Sequence, residues 1–182
     1  MAKRNQVRII AGQWRRHQLQ FPSASDLRPT PDRVRETLFN WLGQTLDDKT
    51  CLDLFAGSGA LGFEAASRAA RSVVLVERDR AAYAALVANA GKLRAANVEV
   101  RHEDAFAFLA RDRRAFDVVF LDPPYQLAVL PELLAQLRPH LAGRSLVYLE
   151  AASLPEIPPG YEVLHQSRAG QVNYLLLESG HN

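Results

Sequence analysis

The stretch that most constrains this chain is Cys51-Leu52-Asp53-Leu54-Phe55-Ala56-Gly57-Ser58-Gly59-Ala60-Leu61-Gly62. It reads as an apolar strand ending in a carboxylate, then a glycine-rich turn, then the start of a helix. Glycines admit positive φ and close backbone approach, and a helix N-terminus offers free N–H groups to an anionic group. The spacing Gly57-x-Gly59-x-x-Gly62 fits the dinucleotide fingerprint, and it fits an ordinary tight strand-to-helix turn equally well.

Downstream the pattern alternates. Residues 72–77 form a continuous β-branched run, as a strand buried on both faces requires, and the alanine-rich segment 80–95 reads as its helix. A third strand is expected over 98–102, a short helix over 105–110, and a fourth strand over 116–121 that runs into Asp122-Pro123-Pro124-Tyr125. A helix over 130–141 and a fifth strand over 145–150 follow. Pro155, Pro158, Pro159 and Gly160 then break the pattern, and 161–166 and 172–178 flank Arg168-Ala169-Gly170-Gln171 as a hairpin. The expected class is α/β, Rossmann-like: a mostly parallel seven-stranded sheet with an antiparallel C-terminal hairpin and a ligand crevice at the carboxyl ends of the strands.

Ahead of this unit, residues 7–10 and 17–21 alternate apolar and polar side chains around Gly12 and Trp14, which suggests a short hairpin. Thr30-Pro31-Asp32 supplies an N-cap, a proline at the first helical position and an acid in the first turn. The helix that follows puts Val34, Leu38, Trp41 and Leu42 on one face, with Arg33, Thr37 and Asn40 on another. The net charge of +2 conceals an asymmetry: residues 1–35 hold eight basic and two acidic side chains, +6, and the remainder holds 14 and 18, −4. A basic head on a mildly acidic body suits a polyanionic partner. With 182 residues, 48% of them hydrophobic, the expected division is a basic extension over 1–30 and a catalytic domain over 31–182. One cysteine, Cys51, excludes an internal disulfide and reads as a buried core residue. The lack of an apolar leader or a long apolar run leads us to expect a soluble, intracellular protein with no membrane partner.

What each parallel strand delivers at its carboxyl end narrows the ligand. These residues are Asp53, Glu77, Asp104 and Asp122. Beside Asp53 a pyrophosphate would be repelled, whereas the sulfonium and ammonium of S-adenosylmethionine would be attracted. The carboxylate of that cofactor is expected to take N–H groups near Gly59, its ribose hydroxyls to bond Glu77, and its adenine amine to bond Asp104. Phe55, Ala56, Gly57, Ser58 and Ala105 complete the expected cofactor positions. In Asp122-Pro123-Pro124-Tyr125 two prolines remove two N–H donors and leave the Asp122 carboxylate and the Pro123 carbonyl as acceptors, with Tyr125 as a flat face beside them. Such an edge suits a planar base carrying an exocyclic amine.

These residues resemble the class I S-adenosylmethionine-dependent methyltransferases, and more narrowly the RsmD family. The resemblance rests on residues 7–14, 27–30, 32–42 and 54–62, on the Asp122–Tyr125 motif and on Ala169-Gly170-Gln171-Val172. It implies transfer of a methyl group to the N2 amine of a guanine in 16S ribosomal RNA, within a small ribosomal subunit or its assembly intermediate, by a cytoplasmic monomer. It implies that Asp122, Pro123, Pro124 and Tyr125 are catalytic and that Arg8, Arg15, Arg16, Arg28, Thr30, Arg33 and Arg35 meet RNA. One departure stands out: where the family pattern leads us to expect a glycine and then a basic residue after Arg15, this chain has Arg16-His17. An adenine-N6 DNA methyltransferase, a protein glutamine methyltransferase and a non-catalytic nucleotide-binding regulator are the alternatives.

Overall fold

In the computed structural model, which describes residues 4–23, 29–124 and 127–180, a two-stranded hairpin precedes a seven-stranded sheet. The hairpin pairs β1 (Arg4–Arg8) with β2 (Gln18–Pro22), antiparallel. The sheet comprises β3 (Thr50–Asp53), β4 (Ser72–Glu77), β5 (Val98–His102), β6 (Phe116–Leu121), β7 (Leu141–Ala151), β8 (Tyr161–Ala169) and β9 (Val172–Ser179), in the order β5-β4-β3-β6-β7-β9-β8. Strands β3 to β7 are parallel, and β9 runs antiparallel to both β7 and β8. This is the architecture the βα pattern implies. From β3 the chain first steps to β4 and β5, then returns to β6 and β7 on the other side, so the carboxyl ends of β3 and β6 flank the switch point where ligands enter such sheets.

Helices α1 (Asp32–Leu42), α2 (Ala60–Ser67) and α3 (Arg80–Leu93) share one apolar cluster with the hairpin and one sheet face, through Ile9, Trp14, Phe21, Leu38, Phe63, Leu86, Phe120 and Tyr148. Helices α4 (Ala105–Arg111) and α5 (Leu130–Leu137) cover the other face, over Leu52, Val76, Val119, Leu121 and Leu149. The hairpin therefore packs into the core of the main unit. An amide bracket fixes it to α3: Asn89 Oδ1 accepts from Gln20 N at 3.2 Å and Asn89 Nδ2 donates to Gln20 O at 2.9 Å.

Three local expectations change. The helix expected over 130–141 ends at Leu137, because Pro139 lacks an N–H; a 3-10 turn over Arg138–His140 leads into β7, which starts at Leu141 rather than 145. Pro31, not Thr30, is the cap position of α1, and no side chain caps that helix. Arg16 adopts φ 72°, the left-handed conformation in which glycine is unstrained, yet the turn closes through Arg16 N to Ile9 O and Ile9 N to His17 O, both 2.9 Å. Cys51 is fully buried as expected, and burial pushes its thiol up to about 12. No helix of the described residues is long and apolar enough to cross a membrane.

Candidate active site

Strand periodicity decides where the crevice acids point. Side chains alternate across a sheet, and Cys51, Leu75, Phe120 and Tyr148 lie on the face covered by α1 to α3. Two residues further on, Asp53, Glu77, Asp122 and Glu150 fall on that same face. Register sets their depth: Asp53 sits opposite Leu75 and Phe120, and Phe120 opposite Tyr148. Glu77, Asp122 and Glu150 are thus each two residues, about 6–7 Å, nearer the carboxyl edge than Asp53. The result is a recessed carboxyl beneath a row of three at the rim.

Asp53 is 2% exposed and accepts from Gly62 N at 3.1 Å and from the Phe55 backbone. Burial, reinforced by the Glu77 and Glu150 charges, pushes its carboxyl up to about 7 against those two hydrogen bonds. A side chain at Gly62 would destroy this seat, since a Cβ there would lie 2.0 Å from Leu75 Cδ2 and 3.3 Å from Asp53 Oδ2. The turn between strand and helix runs through Gly57 at φ 54° and Gly59 at φ 81°, with Ala56 N bonded to Val76 O at 3.0 Å. Phe55 is half-buried against the opposite core, while Ala56 and Ser58 are buried. Gly59 N donates to Ala56 O at 2.7 Å and Ala60 N to Ser58 Oγ at 3.3 Å, so these two N–H groups serve the turn itself.

At the end of β4, Glu77 Oε2 accepts from Gly57 N and Oε1 from Asp79 N, both at 2.8 Å. Each oxygen retains a lone pair for a ligand hydroxyl. Asp104 is exposed and caps α4, with Phe106 N at 2.9 Å and Ala107 N at 3.2 Å both on Oδ1; Ala105 beside it is buried. Asp122, just past β6, is half-buried and has no side-chain hydrogen bond among the described residues. Burial first, then the Glu150 and Asp53 charges, holds its carboxyl well above the usual range. Pro123 is half-buried and Pro124 exposed. Tyr125 lies outside the described residues.

Glu150 was not singled out from the sequence, although it ends the fifth strand as Asp122 ends the fourth. Its Oε1 accepts from Tyr148 OH at 2.7 Å and from Thr30 Oγ1 at 2.9 Å. Burial raises its carboxyl while those two hydroxyls oppose the rise. Among the described residues no Lys or Arg pairs with Asp53, Asp122 or Glu150.

The expected RNA set divides. Arg8, Arg15, Arg16 and Arg33 are exposed, Arg8 Nε pairing with Asp32 at 2.8 Å. Arg28 lies outside the described residues. Arg35 must be corrected: it is fully buried, donating to Thr30 O, Arg8 O, Asp32 and Glu64, so it braces the extension and cannot reach a phosphate. Thr30, also buried, turns its hydroxyl into the crevice rather than toward solvent.

A family model described as conserved hypothetical protein 95 matches residues 7–178. The chain is similar to the ribosomal RNA small subunit methyltransferase D of Escherichia coli strain K12, 44% identical over 178 residues, 95% of this chain and 90% of that protein. The Haemophilus influenzae protein of the same name is 38% identical over 97% of this chain and 95% of its own length. A solved Escherichia coli structure described as the methyltransferase yhhF superposes with a TM-score of 0.90 at 42% identity, covering 98% of this chain and all of that one.

Proposed function

The chain belongs to the RsmD family and is an S-adenosylmethionine-dependent ribosomal RNA methyltransferase, and from that premise we propose that its acceptor is the exocyclic N2 amine of a guanine in 16S rRNA. The observation that carries this reading is the Asp122 carboxyl at the rim, followed by two residues without N–H groups and placed above recessed Asp53, neither paired with a cation among the described residues. We also assign it a small-subunit particle as substrate, a monomeric state and a cytoplasmic site of action.

The donor set fits the cofactor. Asp53 and the rim acids favour a cationic centre, Glu77 offers lone pairs to ribose hydroxyls, and Asp104 has its capping bonds on one oxygen only. Bound there, S-adenosylmethionine supplies an electrophilic methyl group. An exocyclic amine is a poor nucleophile because its lone pair is delocalised into the ring. Asp122 and the Pro123 carbonyl accept its two N–H groups, which concentrates the lone pair and aims it. Positioning of this kind supplies about 7–11 kcal/mol, against about 100- to 10,000-fold from general-base action, so Asp122 acts chiefly by orientation and takes up a proton afterwards. Exposed Arg8, Arg15, Arg16 and Arg33, with Arg28, are our RNA-contacting set.

The test is incubation with labelled cofactor and, in parallel, 16S rRNA, assembled small subunits and a synthetic DNA duplex, followed by mapping of the methylated base. Methyl-N2-guanine in RNA or subunits supports the reading; preferential methylation of the duplex overturns it.

A further inference from the structure

Three acids at the crevice have no cationic partner among the described residues, yet one of them is held quite differently from the others. Glu150 receives two hydroxyls on Oε1, whereas Asp122, its neighbour across the β6–β7 pairing, receives none from the described residues. Leu121 is opposite Leu149, so Asp122 and Glu150 extend that register side by side on one face. Two carboxylates at this spacing cannot both ionise cheaply, and hydrogen bonds to one of them decide which stays charged.

We propose that Glu150 is a positioning residue that sets the charge of Asp122: the Thr30 and Tyr148 hydroxyls keep Glu150 as the carboxylate, and the proton of the pair rests on Asp122 until a cation enters the crevice. The inference deepens the methyltransferase reading and rests on it. Asp122 becomes a pure acceptor, able to orient an amine, only when a cationic cofactor lies beside it. As the nitrogen lone pair forms the new N–C bond, the electron pair of the broken C–S bond leaves with sulfur. One N–H proton of the product then passes to the Asp122 carboxylate, which restores the resting pair and the neutral methylated amine.

The neighbouring elements support this charge balance. Glu77 on β4 adds negative charge, Asp53 on β3, pushed up to about 7, adds more as it ionises, and Tyr174 on β9 stands opposite Glu150. Arg35, behind Thr30, is committed to Asp32 and Glu64. Burial and the Glu150 charge together raise the Asp122 carboxyl, in the direction the geometry requires.

Two measurements test it. Calorimetric titration in buffers of different ionisation enthalpy counts protons released on cofactor binding at neutral pH: the wild type releases protons to S-adenosylmethionine and fewer to the uncharged thioether S-adenosylhomocysteine, and Glu150→Gln narrows that gap. In the pH profile of kcat/KM for RNA, Glu150→Gln moves the acid limb about one unit lower, and Thr30→Val, which loosens the hold on the Glu150 carboxylate, moves it the same way, by less. Thr30→Val removes a donor at the edge of the site and serves if Glu150→Gln fails to fold. Equal proton release in wild type and Glu150→Gln, or a slower enzyme with its acid limb unmoved, overturns the role. Proton release that behaves as stated, with no methyl transfer to RNA at any pH, refutes the choice of acceptor and leaves the carboxyl pair standing.

Discussion

Glu64 and the crevice acids lie on the same side of the same sheet, Glu64 and Asp53 buried and Asp122 and Glu150 half-buried, and live in opposite electrostatic worlds. Glu64 is fully buried on α2 and accepts four times: Ile10 N at 2.9 Å, Ala11 N at 3.0 Å, Arg68 Nε at 2.8 Å and Arg35 Nη1 at 3.4 Å. Asp53, Asp122 and Glu150 have no such cations among the described residues. A buried charge whose every lone pair is answered holds architecture together, here the hairpin to the catalytic unit. Buried carboxyls left without counter-charge raise the cost of their own ionised form and attract a cationic ligand, which is what a functional site needs.

The contrast breaks most visibly at Asp122. Asp122→Ala should lower methyl transfer by about 100-fold or more, the scale of a misplaced reacting group, while leaving S-adenosylmethionine affinity within a few-fold. Labelled-methyl transfer and calorimetric binding check this, and unchanged turnover would sink the orienting role. At Glu64 the expectation is reversed. Glu64→Ala strands Arg35 and Arg68 in the interior, so it should cost about 3–5 kcal/mol of stability, read by denaturant unfolding. Loss of activity in a variant as stable as the wild type would place Glu64 with the crevice acids instead.

This contrast was only half visible in the sequence. The βα alternation, the glycine turn and the strand-end acids Asp53, Glu77 and Asp122 follow from period and spacing, which are local. What escaped is tertiary. Arg35 looked like its exposed neighbour Arg33, because nothing local says that Glu64, 29 positions on, will meet it. Thr30 carried the signature of a helix cap, and only the arrival of β7 shows that its hydroxyl belongs to Glu150. Glu150 itself was legible: applying the strand-end argument to the fifth strand as to the fourth would have found it. The family's missing glycine at Arg16 marked a real feature, a left-handed residue, though not a broken turn.

Asp53 sharpens the comparison through pH. Its folded carboxyl titrates at about 7 against an ordinary 3.8, so between those values the folded state holds a proton that the unfolded chain has released. Stability contributed at low pH is therefore lost as pH rises from about 4 to about 7, by an amount of the order of 2–4 kcal/mol. Asp53→Asn, whose amide oxygen can still accept from Gly62, should flatten that decline and weaken cofactor binding. Unfolding curves at pH 5 and pH 8 measure it, and an equal slope in both proteins would show that Asp53 is ionised at both.

The smallest effect lies on the anchored side, where the cost is conformational rather than electrostatic. Arg16 stands at φ 72°, a region that costs a non-glycine residue about 1–2 kcal/mol, partly offset in a glycine variant by a more flexible unfolded chain. Arg16→Gly should therefore gain about 0.5–1 kcal/mol. Its neighbour in the turn behaves oppositely, since a Cβ on Gly12 would lie 1.8 Å from Ser67 O and Gly12→Ala should destabilise. Because Arg16 is also an exposed cation of the proposed RNA set, the stabilised variant should bind RNA more weakly, with a salt slope shallower by about 0.7–0.9. A more stable Arg16→Gly with an unaltered slope would keep Arg16 as a strained turn residue and remove it from the RNA surface.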